Sequence, residues 1–323
     1  MPVEAPKLVA YTPNGKQEFV FNKISKKLQK NGYKYVCFDR PQPHTITNCL
    51  RNKLNYHRYV GKKGYFTNAP EVNNGSYTVK EAVLETGEKL YLFTPESRGV
   101  NSRYIVSLKQ FNKEKSFQPT DIVEGSNVKI TGYDESGMGR LNVSSQASHS
   151  FSESEIEIIR NISRHFPKNQ GQIADLLSTL TIKYDDFSRT TSIYSPRYHN
   201  KTSSFSIHIK AHNNLSFDAR LIARYESTKW LFIDSFSVAA DNYRWHSAKN
   251  LNFNRDNGSG KIWEWLSVKI NKSNIVMLKE LSASNNSKIR FHGKQYFDDY
   301  TLTKEQKSDL GNLIKLVELM NIK

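Results

Sequence analysis

The sequence predicts an α+β fold rich in antiparallel β-structure, and three observations carry that expectation. Short extended runs broken by Gly or Asn-Gly fill residues 56–133 and most of the chain after residue 181. Helical periodicity is confined to a few stretches with recognisable caps and stops. At 323 residues, with 37% hydrophobic and 12% aromatic side chains, the chain can fill the cores of two domains or of one large β-rich domain, which excludes wholesale disorder.

The elements follow in order. Within residues 1–55, Phe19, Ile24 and Leu28 recur at helical spacing and predict a lysine-rich helix stopped by Gly32, after which "YKYVCF" reads as a strand. Residues 56–134 contain "RYVGKKGYF", "YTVKEAVLE", "EKLYLF", "RYIVSL" and "NVKITGY", with breaks at Gly61, Gly64, Asn74-Gly75, Gly87 and Gly125. That spacing predicts a small SH3-like barrel or curled sheet. Residues 135–151 are poor in large apolar side chains and rich in Ser and Gly, so they read as a linker.

An α+β module is expected over residues 152–323. Ser152 with Glu155 makes a capping box for a helix carrying Ile156, Ile159, Ile162 and Phe166 and ended by Pro167; a second helix is expected over 173–180. The strand candidates are "TIKYDDF", "RTTSIYS", "SSFSIHIKA", "FDARLIARY", "KWLFIDSFSVAA", "LNFN" and "IWEWLSVKI". Phe205, Ile207 and Ile209 alternate against Ser206, His208 and Lys210, the mark of a half-buried antiparallel strand. Ser273 should cap a helix through Ile275, Leu278 and Leu281, "SKIRFHG" adds a strand, and Thr303 with Gln306 should cap a last helix through Leu310, Leu313, Ile314 and Val317. An antiparallel meander with helices packed on one face results.

"FNRDNGSGKIWEWLSVK", residues 253–269, invites ligand-loop readings that its spacing rejects. A phosphate loop needs Gly where Arg255 stands and a hydroxyl where Ile262 stands. A helix-loop-helix calcium loop needs oxygen ligands where Phe253 and Arg255 stand. Asn257-Gly258 between extended flanks predicts a hairpin, with Gly258 in the left-handed turn position.

The formal charge is +16, from 47 basic and 31 acidic side chains. It would attract nucleic acid or anionic surfaces without a specific site, yet it is spread along the chain, as in a lysine-solvated surface. The densest run, Lys23, Lys26, Lys27, Lys30 and Lys34, reads as a solvated helix face. No apolar stretch long enough for a signal peptide or a membrane span occurs in the first residues, so no transmembrane segment is expected. The chain is then either cytoplasmic, or periplasmic or envelope-associated as the mature part of an exported protein. Cys37 and Cys49 exclude a disulfide framework and a cysteine-based zinc site; twelve positions apart, they can close one loop in an oxidising compartment or stay as free thiols.

No zinc-protease, nucleophile-elbow or dinucleotide fingerprint occurs. His208 and His212 in a strand would lie about 13 Å apart, too far to share a metal. Two acidic pairs, Asp185-Asp186 and Asp298-Asp299, are each bracketed by aromatics and read as turns anchored in the core, or as magnesium ligands if brought together. No catalytic residue, metal ligand or cofactor is assigned. Rings interleaved with cations suit stacking, and the candidate binding residues are Tyr194, Arg197, Tyr198, Arg244, Trp245, Lys261 and Trp263. Sheet alternation should turn about half of the aromatic candidates inward.

The segments "LIARYESTKWLFIDSFSVAADN", "NRDNGSGKIWEWLSV" and "NIVMLKELSASNNSKIRFHGKQYFDDYTLTKEQKSDL" resemble the C-terminal part of a group of uncharacterised bacterial proteins, many of them exported or lipid-anchored. The resemblance covers roughly residues 181–323, and its motifs are packing and turn motifs. It implies a recurring envelope-associated module without a known catalytic residue. The function expected from these readings is a non-catalytic bacterial envelope-associated binding or assembly protein, whose partner is an envelope component or another protein. The alternatives are a cytoplasmic nucleic-acid-binding protein, or a metal-dependent nuclease using the acidic pairs; charge alone would give weak nonspecific nucleic-acid binding.

Overall fold

The computed structural model describes residues 16–23, 33–94, 104–133, 140–144, 150–198 and 202–322. The protein is α+β and β-rich, and it divides into two compact units. The first comprises Met1–Pro119, Thr131–Asn142 and Ser150–Glu153, and the second Thr120–Ile130, Val143–His149 and Ser154–Lys323.

In the first unit, β1 (Glu18–Phe21), β2 (Val36–Cys37), β3 (Lys63–Phe66), β4 (Val72–Asn73), β5 (Thr78–Leu84), β6 (Lys89–Phe93) and β7 (Ile105–Ser107) form one antiparallel sheet. Its order is β2-β6-β5-β3-β1-β7, with β4 beside β5, and it curls into a half-barrel. Phe19, Phe21, Tyr33, Tyr56, Leu84 and Leu90 fill its core. The Tyr56 hydroxyl, buried with its ring, donates to the carbonyls of Asn22 and Tyr104 at 2.6 and 2.7 Å. Gly64 lets β3 lie against Phe19, since a Cβ there would come within 2.5 Å of that ring. Cys37 and Cys49 form a buried disulfide that ties β2 to the 3-10 segment Pro43–Arg51, with Cα atoms 5.0 Å apart. Helix α1 (Leu108–Lys115) follows β7.

Phe19 lies in β1, not in the helix its spacing predicts, because β1 pairs with β3 on one edge and β7 on the other. That pairing outweighs local periodicity. The rest of the expected helix, residues 24–32, lies outside the described residues. The strand expected over 33–38 shortens to β2 and an isolated bridge between Tyr33 and Leu54.

Four short strands come next. β8 (Thr120–Asp121) pairs with β9 (Lys129–Tyr133) through Thr120 and Ile130, and β10 (Leu141–Val143) pairs with β11 (Ser150–Phe151) through Leu141 and Phe151. The stretch read as a linker thus carries strands anchored by buried Leu141, Val143 and Phe151.

The second unit continues with α2 (Glu153–Arg164), which starts directly after Ser152, and α3 (Gln170–Leu177). Then come β12 (Thr181–Asp185), β13 (Thr190–Tyr194), β14 (Ser204–His212), β15 (Phe217–Ser227), β16 (Ile233–Ala240), β17 (Tyr243–His246), β18 (Asn254–Gly258) and β19 (Lys261–Lys269). Helix α4 (Lys272–Ala283), β20 (Ser287–Gly293), β21 (Phe297–Tyr300) and α5 (Lys304–Leu319) complete it. α5 is capped by Thr303 and Gln306 as the sequence predicts, whereas α4 is capped two residues earlier than expected, by Asn271. Met277, Leu278, Leu281, Leu310, Leu313 and Ile314 are the buried stripes of these two helices. Among the described residues no helix is long and apolar enough to cross a membrane.

The expected meander divides into two sheets. One is six-stranded, β12-β13-β14-β15-β19-β18, and the other four-stranded, β17-β16-β20-β21. The division occurs after β15, where Phe232 takes a positive φ of 57° and the Glu264 carboxylate accepts hydrogen bonds from the amides of Leu231, Phe232 and Ile233. This turns the chain out of the first sheet, and β15 takes β19 as its neighbour instead of β16.

β18 and β19 form the predicted hairpin, but its turn is Ser259-Gly260, with φ 52° and 75°, joining the paired residues Gly258 and Lys261. Positive φ at both central residues is what a twisted two-residue hairpin needs. Gly258 ends the strand, and a Cβ there would sit 3.6 Å from the Trp263 ring.

Candidate functional site

The six-stranded sheet turns Phe205, Ile207, Ile209 and Ala211 of β14 into the core, so Ser204, Ser206 and His208 point to its other face. Register then builds that face strand by strand. Ser204 stands opposite Arg224 on β15, Arg224 opposite Trp265 on β19, and Trp263 opposite Glu226. Tyr194 lies beside His208 with ring centroids 5.3 Å apart, and Tyr198 closes on the same imidazole edge-on at 4.2 Å. The Arg224 guanidinium lies 5.6 Å from the ring centroids of both Trp263 and Trp265.

Arg224 is only 9% exposed. No carboxylate is bound to it among the described residues. Burial opposes its charge, while Tyr198, Glu226 and Asp256 favour it from a distance. Burial, with Lys210 nearby, pushes the His208 imidazole down to about 4, so the ring is neutral at pH 7. Burial raises the Tyr198 phenol, and Arg224 partly offsets this. Ser204 Oγ, His208 Nε2, Arg224 Nε and Trp263 Nε1 all belong to this face, and all are buried without a hydrogen-bond partner among the described residues. Outside the face, only Ser163 and Ser287 share that condition there. A buried polar atom left unpaired costs about 1–3 kcal/mol, so four on one surface call for an explanation. Chemically, the arrangement is a sheltered guanidinium with an unpaired Nε between indole, phenol and imidazole rings. It suits a ring-bearing ligand with oxygen acceptors.

Of the seven candidate residues, the structure brings Tyr194, Tyr198 and Trp263 together on this face, with Lys261 at its rim ion-paired to Glu226. The other three lie elsewhere. Arg197 Nη1 donates to both carboxylate oxygens of Asp309 at 2.7 and 2.8 Å. Arg244 and Trp245 are on β17 in the other sheet. There Arg244 Nη1 donates to the carbonyls of Asp241 and Tyr243, and its side lines an open pocket of about 620 Å³ with Lys288, Lys304 and Lys307. Trp245 Nε1 donates to Ser273 Oγ at 3.1 Å. Sequence reasoning missed Arg224, Ser204 and His208 as members of one face. Their signal was the alternation Arg220, Ile222, Arg224, Glu226, usable only once the pairing with β19 is known.

The two acidic pairs are engaged separately. Asp185 accepts from the Phe187 amide and the Ser188 hydroxyl and so closes the turn after β12, as expected, but the bracketing Tyr184 and Phe187 are exposed and do not anchor it in the core. Asp298 and Asp299 are in a strand, not the turn the sequence suggests, because β21 pairs with β20. Asp299 is bound by Arg290 and Lys288, which holds its carboxyl down to about 2, and Asp298 accepts from the Tyr225 hydroxyl at 2.9 Å. Among the described residues no group of three or more His, Cys, Asp or Glu is placed to hold a metal ion. On the four-stranded sheet, Ser237 Oγ lies 2.8 Å from His246 Nδ1 and 2.7 Å from His292 Nε2, with no carboxylate hydrogen-bonded to either ring among the described residues. No protein-family model, curated protein or solved structure matches this chain.

Proposed function

We propose that this chain is a non-catalytic, envelope-associated binding or assembly protein of bacteria, and that it contacts its ligand with the Arg224 face. The observation that carries the reading is a buried arginine, flanked by two tryptophans, with no carboxylate hydrogen-bonded to it among the described residues. A guanidinium so sheltered binds oxygen acceptors more strongly than a solvated one, and the rings beside it supply stacking area. The Cys37–Cys49 disulfide supports an oxidising compartment.

The ligand chemistry that suits the face is a ring compound carrying carboxylate, phosphate or sulfate oxygens, such as an anionic oligosaccharide. Titration with soluble anionic oligosaccharides should quench tryptophan fluorescence, and Arg224→Met should abolish the effect while Trp245→Phe leaves it intact. Equal binding by wild type and Arg224→Met would refute the placement.

Nucleic-acid binding is the second reading, favoured by the same stacking of Arg224 with Trp263 and Trp265. The envelope reading expects only weak oligonucleotide binding that vanishes near physiological salt, with no cleavage on adding magnesium. Submicromolar single-strand binding at physiological salt would replace it with the nucleic-acid reading.

A further inference from the structure

The loop after β15, the turn after β20 and the start of β21 form one tip of exposed rings. Phe232 is 47% exposed, Tyr296 74% and Phe297 57%, and Trp230 stacks on Phe232 with ring centroids 6.1 Å apart. The two segments touch directly. Gly293 pairs with Ile233, and a Cβ on Gly293 would fall 1.9 Å from the Leu231 carbonyl oxygen. The Gly293 amide donates to the Tyr296 carbonyl at 2.9 Å, which closes the turn.

The protein maintains this exposure against an opposing cost. An aromatic residue resists positive φ, and apolar rings resist water, yet Phe232 adopts φ 57° and stays outside. Glu264 enforces the geometry: fully buried, it accepts from the amides of Leu231, Phe232 and Ile233 at 2.8, 2.9 and 2.8 Å and from Arg255 Nε at 3.0 Å. The same bonds that divide the two sheets thus hold the Phe232 ring in its exposed position.

Cations surround the rings. The Arg290 guanidinium lies 3.9 Å from the Phe297 centroid and that of Arg255 lies 5.6 Å from Phe232. Lys229 and Lys294 are exposed beside Trp230 and Tyr296, and neither ammonium has an acidic partner among the described residues. Of the neighbouring acids, Glu264 is paired with Arg255 and Asp299 with Arg290 and Lys288, while Asp298 and Asp234 accept from the Tyr225 and Ser235 hydroxyls and keep their charge, opposite in sign to that of Lys229 and Lys294. The chain as a whole carries +16.

We infer that this tip docks on an anionic lipid surface, with Trp230, Phe232, Tyr296 and Phe297 entering the headgroup layer and Lys229 and Lys294 meeting its phosphates. Aromatic rings favour that layer because one side of it is apolar and the other wet, and anionic headgroups attract a basic protein. The inference rests on the envelope-associated reading and names the surface involved; it does not depend on the Arg224 face.

The test is cosedimentation of the full chain with vesicles of phosphatidylcholine, and with vesicles that also contain phosphatidylglycerol, at low salt and at about 0.15 M. Brominated acyl chains report tryptophan insertion. Binding to the phosphatidylglycerol vesicles should persist at the higher salt, and quenching should be lost in Trp230→Phe. A Phe232→Ser, Tyr296→Ser, Phe297→Ser variant should bind on the order of tenfold more weakly or worse, while its circular dichroism matches wild type. Lys229→Gln with Lys294→Gln, which leaves the apolar tip and the fold intact, should weaken binding to the anionic vesicles alone. Trp245→Phe, on β17 with its ring bonded to Ser273, should sediment like wild type. Absence of binding, or wild-type binding by the triple variant, would overturn the inference, the latter showing that net charge alone attracts the protein. A purely proteinaceous partner for the tip would appear as no vesicle binding. Failure here, with Arg224-dependent oligosaccharide binding intact, removes only the tip; the converse removes only the Arg224 face.

Discussion

Glu264→Gln is the sharpest perturbation of the second unit. The carboxylate is fully buried and accepts four hydrogen bonds, three from consecutive amides and one from Arg255. Glutamine has one acceptor oxygen in place of two, and its amide nitrogen would face donors. Oε1 serves Leu231 and Phe232, and Oε2 serves Ile233 and Arg255, so whichever oxygen is kept, two donors lose their partner. With about 1.5–3 kcal/mol for each hydrogen bond to a charged group, the loss should be about 3–6 kcal/mol. Arg255→Gln should cost only about 1 kcal/mol, because the arginine is partly solvated and the three amides keep their acceptor. All four tryptophans, Trp230, Trp245, Trp263 and Trp265, belong to the second unit, so urea unfolding followed by their fluorescence isolates it. A loss below about 1 kcal/mol for Glu264→Gln would show that these four hydrogen bonds do not hold the turn.

Further outcomes follow from the same geometry. Gly260→Val should destabilise the second unit by about 1 kcal/mol or more, because φ is 75° there, while Gly258→Ala should leave the melting temperature nearly unchanged; reversed outcomes would return the turn to Asn257-Gly258. Replacing Cys37 and Cys49 by serine opens a loop of twelve-residue separation and should cost the first unit about 3 kcal/mol, seen by calorimetry and not by tryptophan fluorescence. His208 sits at about 4 when folded, below its ordinary value near 6.5, so the unfolded state binds the proton first. The stability it contributes is complete above about pH 6.5 and is lost as pH falls towards about 4, and His208→Gln should flatten that part of the urea-midpoint profile.

Much of the fold could be read from local pattern. Phe205, Ile207 and Ile209 declare a half-buried strand by alternation, and Thr303 with Gln306 fixes the start of α5, because both signals lie within a few residues. What failed depended on distant partners. Phe19 has helical neighbours in sequence but strand neighbours in space, and Asp298-Asp299 resembles a turn until β20 is placed beside it. The departure of β16 from the first sheet is set by Glu264, more than thirty residues downstream of the amides it binds. The candidate site shows the same division. Tyr194, Tyr198 and Trp263 stand out by residue type alone, whereas Arg224 gains its meaning only from the register that sets it opposite Trp265.

That arginine offers a test that requires no knowledge of the ligand. If Arg224 were kept for packing, Arg224→Met would destabilise the second unit. If it is kept for binding, the protein bears the cost of desolvating its charge, and methionine, flexible and apolar against Trp263 and Trp265, should relieve that cost. Urea unfolding of Arg224→Met is therefore predicted to give a stability equal to wild type or higher by about 1–2 kcal/mol. A loss of more than about 1 kcal/mol would contradict the account and make Arg224 a structural residue.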